Sequence, residues 1–312
     1  MEQELIKDTR LITLSSKDAE ILNGDYKSNC FFHIKNIVEP NPDINFLDVG
    51  LIDAQIPVSW FLINDQSNKL EYIYNLQTLS ITLTNGNYNA NTLASEIKEK
   101  LFNNNPSLNA TIVLSQVTGL YTFTFINPLS QVTFKFNESK GLAEILGFTQ
   151  DITSVNNNFT FPIPLNLLGI QKINVCSNKL SSISSYSSQR RIGSNILQTI
   201  PVNVPSWNLI NYENKNNIHA RMKSRHLDSG IDIQLLDENG QFIEFNNIDW
   251  NLTIQIIIYR KTNVRLSQIP QFRQMFNMDK KVLEKPKEKP SKENPKEKKL
   301  KKDLLELKLL EN

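Results

Sequence analysis

Residues 80–102 read SITLTNGNYNANTLASEIKEKLF, and the reading of this stretch decides the fold. The alternation of TLSITLT (78–84) is that of a strand, and Gly86 marks a turn. Asn89 then stands where a helix N-cap belongs, because its side-chain oxygen can accept from the first free helical N–H groups. Tyr88 and Leu93 occupy the two positions of a hydrophobic staple. Ala90, Leu93, Ala94, Ile97 and Leu101 form one apolar stripe at helical spacing. A well-made helix therefore interrupts a chain whose other signals are those of strands.

Downstream of that helix come three alternating segments, ATIVLSQ (110–116), LYTFTFIN (120–127) and QVTFKFN (131–137), then SKGLAEILGF (139–148), a short helix ended by Gly147. The order βαβββα buries a helix face against a sheet face, so 78–150 is expected to be a small α+β domain inserted between two parts of a β-sandwich.

On either side lie strand signals rich in β-branched and aromatic residues: LITLSS (11–16), CFFHIKNIV (30–38), FLDVGLIDAQIPVSWF (46–61) and LEYIYN (70–75) before it. After it come GIQKINVCSNKL (169–180), NILQTIPV (195–202), NIHARMKSRHL (217–227), GIDIQLLD (230–237) and WNLTIQIIIYR (250–260). The segment 46–61 reads as a central strand with a bend near Pro57. Asn239-Gly240 between apolar runs is a hairpin signal. No strand–helix alternation calls for a parallel sheet. The expected fold is mainly β, an antiparallel jelly-roll β-sandwich built from 1–77 and 151–265, with the inserted domain between them. A C-terminal extension follows from 266 to 312, largely disordered from about 279.

The chain of 312 residues carries a formal net charge of +2, with 39% hydrophobic and 21% charged residues, enough apolar material for a real core. The charge is unevenly placed. Residues 279–312 hold 12 Lys against 8 Asp/Glu, which leaves 22 basic against 24 acidic residues elsewhere. A nearly neutral body argues against one built mainly to grip nucleic acid. In the tail, Pro286, Pro290 and Pro295 forbid a continuous helix, so 280–296 reads as a solvated linker. Its end, KKLKKDLLELKLLEN, has the leucines to become an amphipathic helix on binding a partner.

Signatures of catalysis are missing from the sequence. There is no GxSxG, P-loop, GxGxxG or HExxH pattern, and the only histidines are His33, His219 and His226. Cys30 and Cys176 read as buried hydrophobes rather than a disulfide or metal pair. Asp48 and Asp53, at odd separation on one strand, are expected on opposite faces. The expectation is a non-enzymatic protein with no catalytic residue, cofactor, metal or small-molecule substrate. The N-terminus has no apolar run of signal-peptide length, and no segment is long enough to span a bilayer. Trp60, Trp207 and Trp250 are expected as core anchors.

The candidate contact residues are basic. Arg221, Lys223 and Arg225 alternate and would line one face of a strand, with Arg190 and Arg191 as a second spot. They fit either a phosphate or acidic partner, or simply the solvated face of an amphipathic strand. In the tail, Lys298, Lys299, Lys301 and Lys302 are candidates for touching nucleic acid or an anionic membrane, or for a solubilising tether.

Three stretches, GNYNANTLASEI, GLAEILGF and LLDENGQFIEFNNIDWNLTIQIII, together with VGLIDAQIPVSWFLIN, resemble in order and spacing the penton (minor capsid) proteins of virophages, Polinton/Maverick elements and related large DNA viruses. The resemblance covers most of 10–260. It implies a jelly roll standing upright in a capsid, a homo-pentamer closing each vertex, an outward-facing insertion and contact with the major capsid protein. It also implies a virion location, with synthesis and assembly in the host cell cytoplasm. A host-attachment or carbohydrate-binding module on the virion surface is the alternative, with Tyr88 and Tyr121 as its aromatic candidates.

Overall fold

The structure, a computed structural model, describes residues 5–22, 26–126, 128, 130–180 and 195–261. Arg190, Arg191 and the whole extension with Lys298, Lys299, Lys301 and Lys302 lie outside the described residues.

Four strands come first: β1 (Leu5–Ser15), β2 (Glu20–Ile21), β3 (Asn29–Val38) and β4 (Ile44–Pro57). The insertion follows with β5 (Lys69–Tyr74), β6 (Gln77–Thr82), α1 (Ala90–Asn104), β7 (Ala110–Leu114), β8 (Tyr121–Phe125) and β9 (Thr133–Phe134). It closes with α2 (Lys140–Leu146), β10 (Ile152–Thr153) and β11 (Asn158–Thr160). The sandwich resumes with β12 (Lys172–Cys176), β13 (Ile196–Pro201), β14 (Leu209–Glu213), β15 (Ala220–Arg221), β16 (Leu227–Leu236) and β17 (Asn251–Lys261).

Pairing identifies the topology. One sheet has the order β1-β17-β4-β14, with β15 also on β4, and the other has β13-β12-β16-β3-β2. The long strands thus pair antiparallel from the outside in, β1 with β17, β3 with β16, β4 with β14 and β12 with β13. That is the winding of a jelly roll, as the sequence led us to expect.

The sandwich core is made by alternation. Leu252, Ile254, Ile256 and Ile258 of β17 point inward, as do Leu47, Val49 and Leu51 of β4. Beyond Leu51 the register slips: Ile254 faces Leu51 but Thr253 faces Asp53, so Ile52 is an extra residue in β4. This bulge flips the parity, and Ala54 and Ile56 become the inward residues. Asp48 and Asp53 therefore lie on the same, outer face, contrary to the expectation from their spacing.

The insertion has a core of its own, running from Ile63 to Phe161 and so wider than the stretch 78–150. Strand β5, expected among the sandwich strands, is instead in the insertion's sheet β10-β9-β5-β6. Its reversal into β6 needs left-handed backbone at Asn75 (φ 51) and Leu76 (φ 61). Strand β9 joins this sheet too, whereas β8 pairs with β7 on one side and β11 on the other in a separate three-stranded sheet. Between them lies an aromatic cluster. The Phe123 ring centroid is 5.3 Å from Phe134, 5.2 Å from Phe159 and 5.2 Å from Phe161.

Helix α1 closes that core as its sequence dictates. Asn89 Oδ1 accepts from the backbone N–H of Asn91 (3.0 Å) and of Thr92 (2.9 Å), and Thr92 Oγ1 accepts from the Asn89 N–H at 3.0 Å. Leu93, Ile97 and Leu101 are fully buried, each adding about 1.5–3 kcal/mol. Helix α2 ends at Gly147 with φ 95. A Cβ there would lie 2.0 Å from the Ile163 carbonyl oxygen, so only glycine fits.

At one end of the sandwich Asp249 ties distant segments together. Its Oδ1 accepts from Lys27 Nζ at 2.7 Å and from Ser16 Oγ at 2.8 Å, while Trp250 Nε1 donates to the Lys27 carbonyl at 2.8 Å. The Lys27 hydrogen bond above all holds the Asp249 carboxyl below its usual range.

Two outcomes follow. Ile97→Ala should cost about 2–5 kcal/mol, and hydrogen exchange should show the loss at amides within 63–161 while β4 and β17 keep their protection. Because the folded-state pKa of Asp249 is depressed, its stabilisation is present above the unfolded value of about 4 and is lost as pH falls below it. Urea unfolding at several acid pH values should therefore show a flatter acid limb for Asp249→Asn than for the wild type.

Candidate interaction surface

Strand β4 offers one side to β17, and on its other side two short strands divide the edge. β14 pairs from Leu209 opposite Pro57 to Glu213 opposite Asp53, and β15 places Ala220 opposite Val49 and Arg221 opposite Asp48. The segment 214–226 between and beyond them reads NKNNIHARMKSRH, with four Lys/Arg and no acidic residue.

This basic segment is held firmly. Asn214 Nδ2 donates to the carbonyls of Leu51 (2.9 Å) and Ile218 (3.0 Å), and its Oδ1 accepts from the Ile218 N–H at 3.1 Å. His219 Nδ1 lies 2.8 Å from the Asn217 carbonyl and Nε2 2.6 Å from Gln255 Oε1. Its ring crosses the sheet directly over Gly50, where a Cβ would meet His219 Cδ2 at 2.6 Å. Met222 is buried, and its N–H donates to the Leu47 carbonyl at 2.9 Å.

Arg221 is built into a ladder across the outer face. Its guanidinium carbon sits 3.5 Å from the Phe46 ring centroid, and Nε lies 3.2 Å from Asp48 Oδ1. Phe46 stacks on Tyr259 at 4.4 Å, and Lys7 Nζ lies 5.9 Å from the Tyr259 centroid. Lys223 and Arg225 do not join this row. The strand expected over 217–227 is confined to Ala220–Arg221. Ser224 Oγ accepts from the His226 N–H at 3.2 Å and donates to the His226 carbonyl at 2.8 Å, a local closure that competes with a continued ladder. Lys215, Lys223 and Arg225 are exposed, and among the described residues none has an ion-pair partner.

Exposed apolar groups share this edge. Trp60 and Trp250 are core anchors, as expected, but Trp207 is 63% exposed. The turn formed by Pro205-Ser206 lifts it out of the sheet, with Trp207 N–H donating to the Val58 carbonyl at 2.8 Å. Its backbone is left-handed at φ 70. Its ring meets Phe61 edge-on at 5.8 Å. Leu209, two residues on, and Ile218, in the segment before β15, are exposed as well. Among the described residues, every non-glycine position with positive φ other than Trp207 and Leu76 is an asparagine, the residue that tolerates this conformation best. Sequence reasoning missed Trp207 and Leu209; the Pro-Ser pair before the tryptophan was the available signal.

The other candidates have structural roles. Tyr121 is fully buried and donates its hydroxyl to the Ala90 carbonyl, and Tyr88 donates to the Thr84 carbonyl at 2.6 Å. Neither is the open aromatic that a receptor site would need. His33 Nε2 pairs with Glu20 Oε2 at 2.6 Å on the opposite sheet. Burial pushes the Cys30 thiol up to about 12, and Cys176 is also buried. Among the described residues no group of three or more His, Cys, Asp or Glu is placed to hold a metal ion.

The fit of His219 over Gly50 gives a stringent check. Gly50→Ala forces the imidazole and the Ile218 carbonyl apart, and equilibrium unfolding should register a loss of about 1–3 kcal/mol.

No family model matches the chain, and no curated protein matches it. Among solved structures it is similar to the mavirus penton protein, with 10% identity and a TM-score of 0.45 over 82% of this chain and 100% of that one. It is also similar to a chain of the Sputnik virophage cryo-EM structure, with 12% identity and a TM-score of 0.39 over 86% of this chain and 100% of that one.

Proposed function

We propose that this chain is a structural virion protein, the penton subunit that closes the vertices of an icosahedral capsid as a homo-pentamer. The observation that carries the reading is the jelly-roll pairing of the long strands, interrupted between β4 and β12 by an insertion with a core of its own. This is the architecture that the resemblance of GNYNANTLASEI, GLAEILGF and the final strands implies. A sandwich with two broad flanks suits a ring, because each subunit must offer two different surfaces to its two neighbours.

In this reading the insertion faces outward and the major capsid protein surrounds the ring. The subunit is made and assembled in the host cytoplasm and resides in the virion. The tail lysines Lys298, Lys299, Lys301 and Lys302 touch packaged DNA, the inner capsid or a membrane.

Quantitative mass spectrometry of purified particles tests this. The chain should co-purify with the capsid in a fixed ratio to the major capsid protein that corresponds to one pentamer per vertex. Its presence only in the soluble fraction of producing cells, and not in particles, would overturn the reading.

A further inference from the structure

The edge of β4 carries more than a pentamer in general requires. Residues 1–261 hold 20 Lys/Arg against 24 Asp/Glu, because 14 of the 34 basic and 8 of the 32 acidic residues fall in 262–312. The segment 214–226 accounts for 4 of those 20 and none of the 24, so the rest of the body has 16 basic against 24 acidic residues, a net of −8. An otherwise acidic body thus bears a purely basic segment at 214–226.

Apolar anchors lie on the same edge. Trp207, Leu209 and Ile218 are 63%, 44% and 58% exposed, and Trp207 keeps a left-handed backbone where, among the described residues of the sandwich, every other such non-glycine site is an asparagine. Holding a bulky side chain in this conformation costs about 1–3 kcal/mol; the Trp207 N–H bond to the Val58 carbonyl holds the backbone there, and the ring is left exposed at the edge. Tryptophan and arginine are enriched at interface centres, and the exposed Lys215, Lys223 and Arg225, without an ion-pair partner among the described residues, suit the polar rim around them.

Resting on the penton reading, we propose that the basic segment 214–226, with Trp207 and Leu209 beside it on the edge of β4, is one half of the subunit contact and docks on a second copy of this chain, whose body carries the complementary excess of acidic residues. The charge distribution selects that occupant. A basic strip on a body of net −8 is complementary to its own copies head to tail, the heterologous arrangement that closes rings. A nucleic acid would meet the same acidic body and the Asp48 carboxylate beside Arg221, and both oppose a phosphate backbone.

The test compares the purified full chain with the triple variant Lys215→Glu, Lys223→Glu, Arg225→Glu, and separately with Trp207→Asn. Light scattering measures mass at about 50 mM and about 500 mM salt, a range over which exposed charge pairs become largely screened. The wild type should associate at low salt and weaken as salt rises. The triple variant should stay monomeric at both, and Trp207→Asn should associate less while melting no lower than the wild type. Should the triple variant not fold, the salt dependence and Trp207→Asn still decide.

A wild type that associates equally at both salts, or variants that associate as well as it does, would overturn this contact and leave the penton reading standing. A wild type that is monomeric throughout overturns the contact and counts against the penton reading as well. If the triple variant loses only binding to double-stranded DNA and still assembles, the strip is a phosphate site instead.

Discussion

The structure depends on the pairing of β17 with β4. The last strand of the sandwich, β17, inserts between β1 and the long β4, and runs antiparallel to both over almost its whole length. Until it is in place, β1 has no partner and β4 is paired on one side alone, by β14 and β15, so the sheet closes only when contacts spanning most of the chain are made. The isoleucines at 254, 256 and 258 fix the register, since a one-residue slip would turn them out to solvent. The bulge at Ile52 then lets β4 keep an inward face at both of its ends although Leu51 and Ala54 are an odd step of three residues apart.

This closure explains why an insertion of nearly a hundred residues is tolerated. The chain leaves β4 at Pro57 and returns at Gly169, where a Cβ would lie only 3.6 Å from Leu62. Exit and return are therefore neighbours. Ile63 and Gly86 exchange backbone hydrogen bonds of 3.0 and 2.9 Å just beyond that gate, and the second core lies past them. The two cores share no buried side chain, so the insertion can vary without disturbing the pairing that closes the sandwich.

The strands and the helical unit were legible because their signals are local. Asn89, Gly147 and the stripe Leu93, Ile97 and Leu101 act within a few residues of one another, and the structure has them as read. What the sequence did not reveal depends on partners. LEYIYN alternates equally well in either sheet, and only its hairpin through Asn75-Leu76 assigns it to the insertion. The faces of Asp48 and Asp53 turned on a bulge that is visible only in the register with β17. Arg221 was singled out for its charge, yet its place is set by Phe46 and Asp48 from a strand more than 170 residues away. Trp207 resembled its two buried counterparts in composition and differed only in the turn before it.

Taken together, the closed sandwich leaves β4 with an edge that its own chain covers only in part. Two short strands and a pinned loop satisfy the backbone there and leave cations and apolar groups facing outward. On the penton account that edge exists for a neighbour. Electron micrographs of the purified full-length chain at low salt test the account most directly. Class averages showing closed rings with fivefold symmetry are the predicted result, and isolated monomers or open filaments at the same concentration would contradict it.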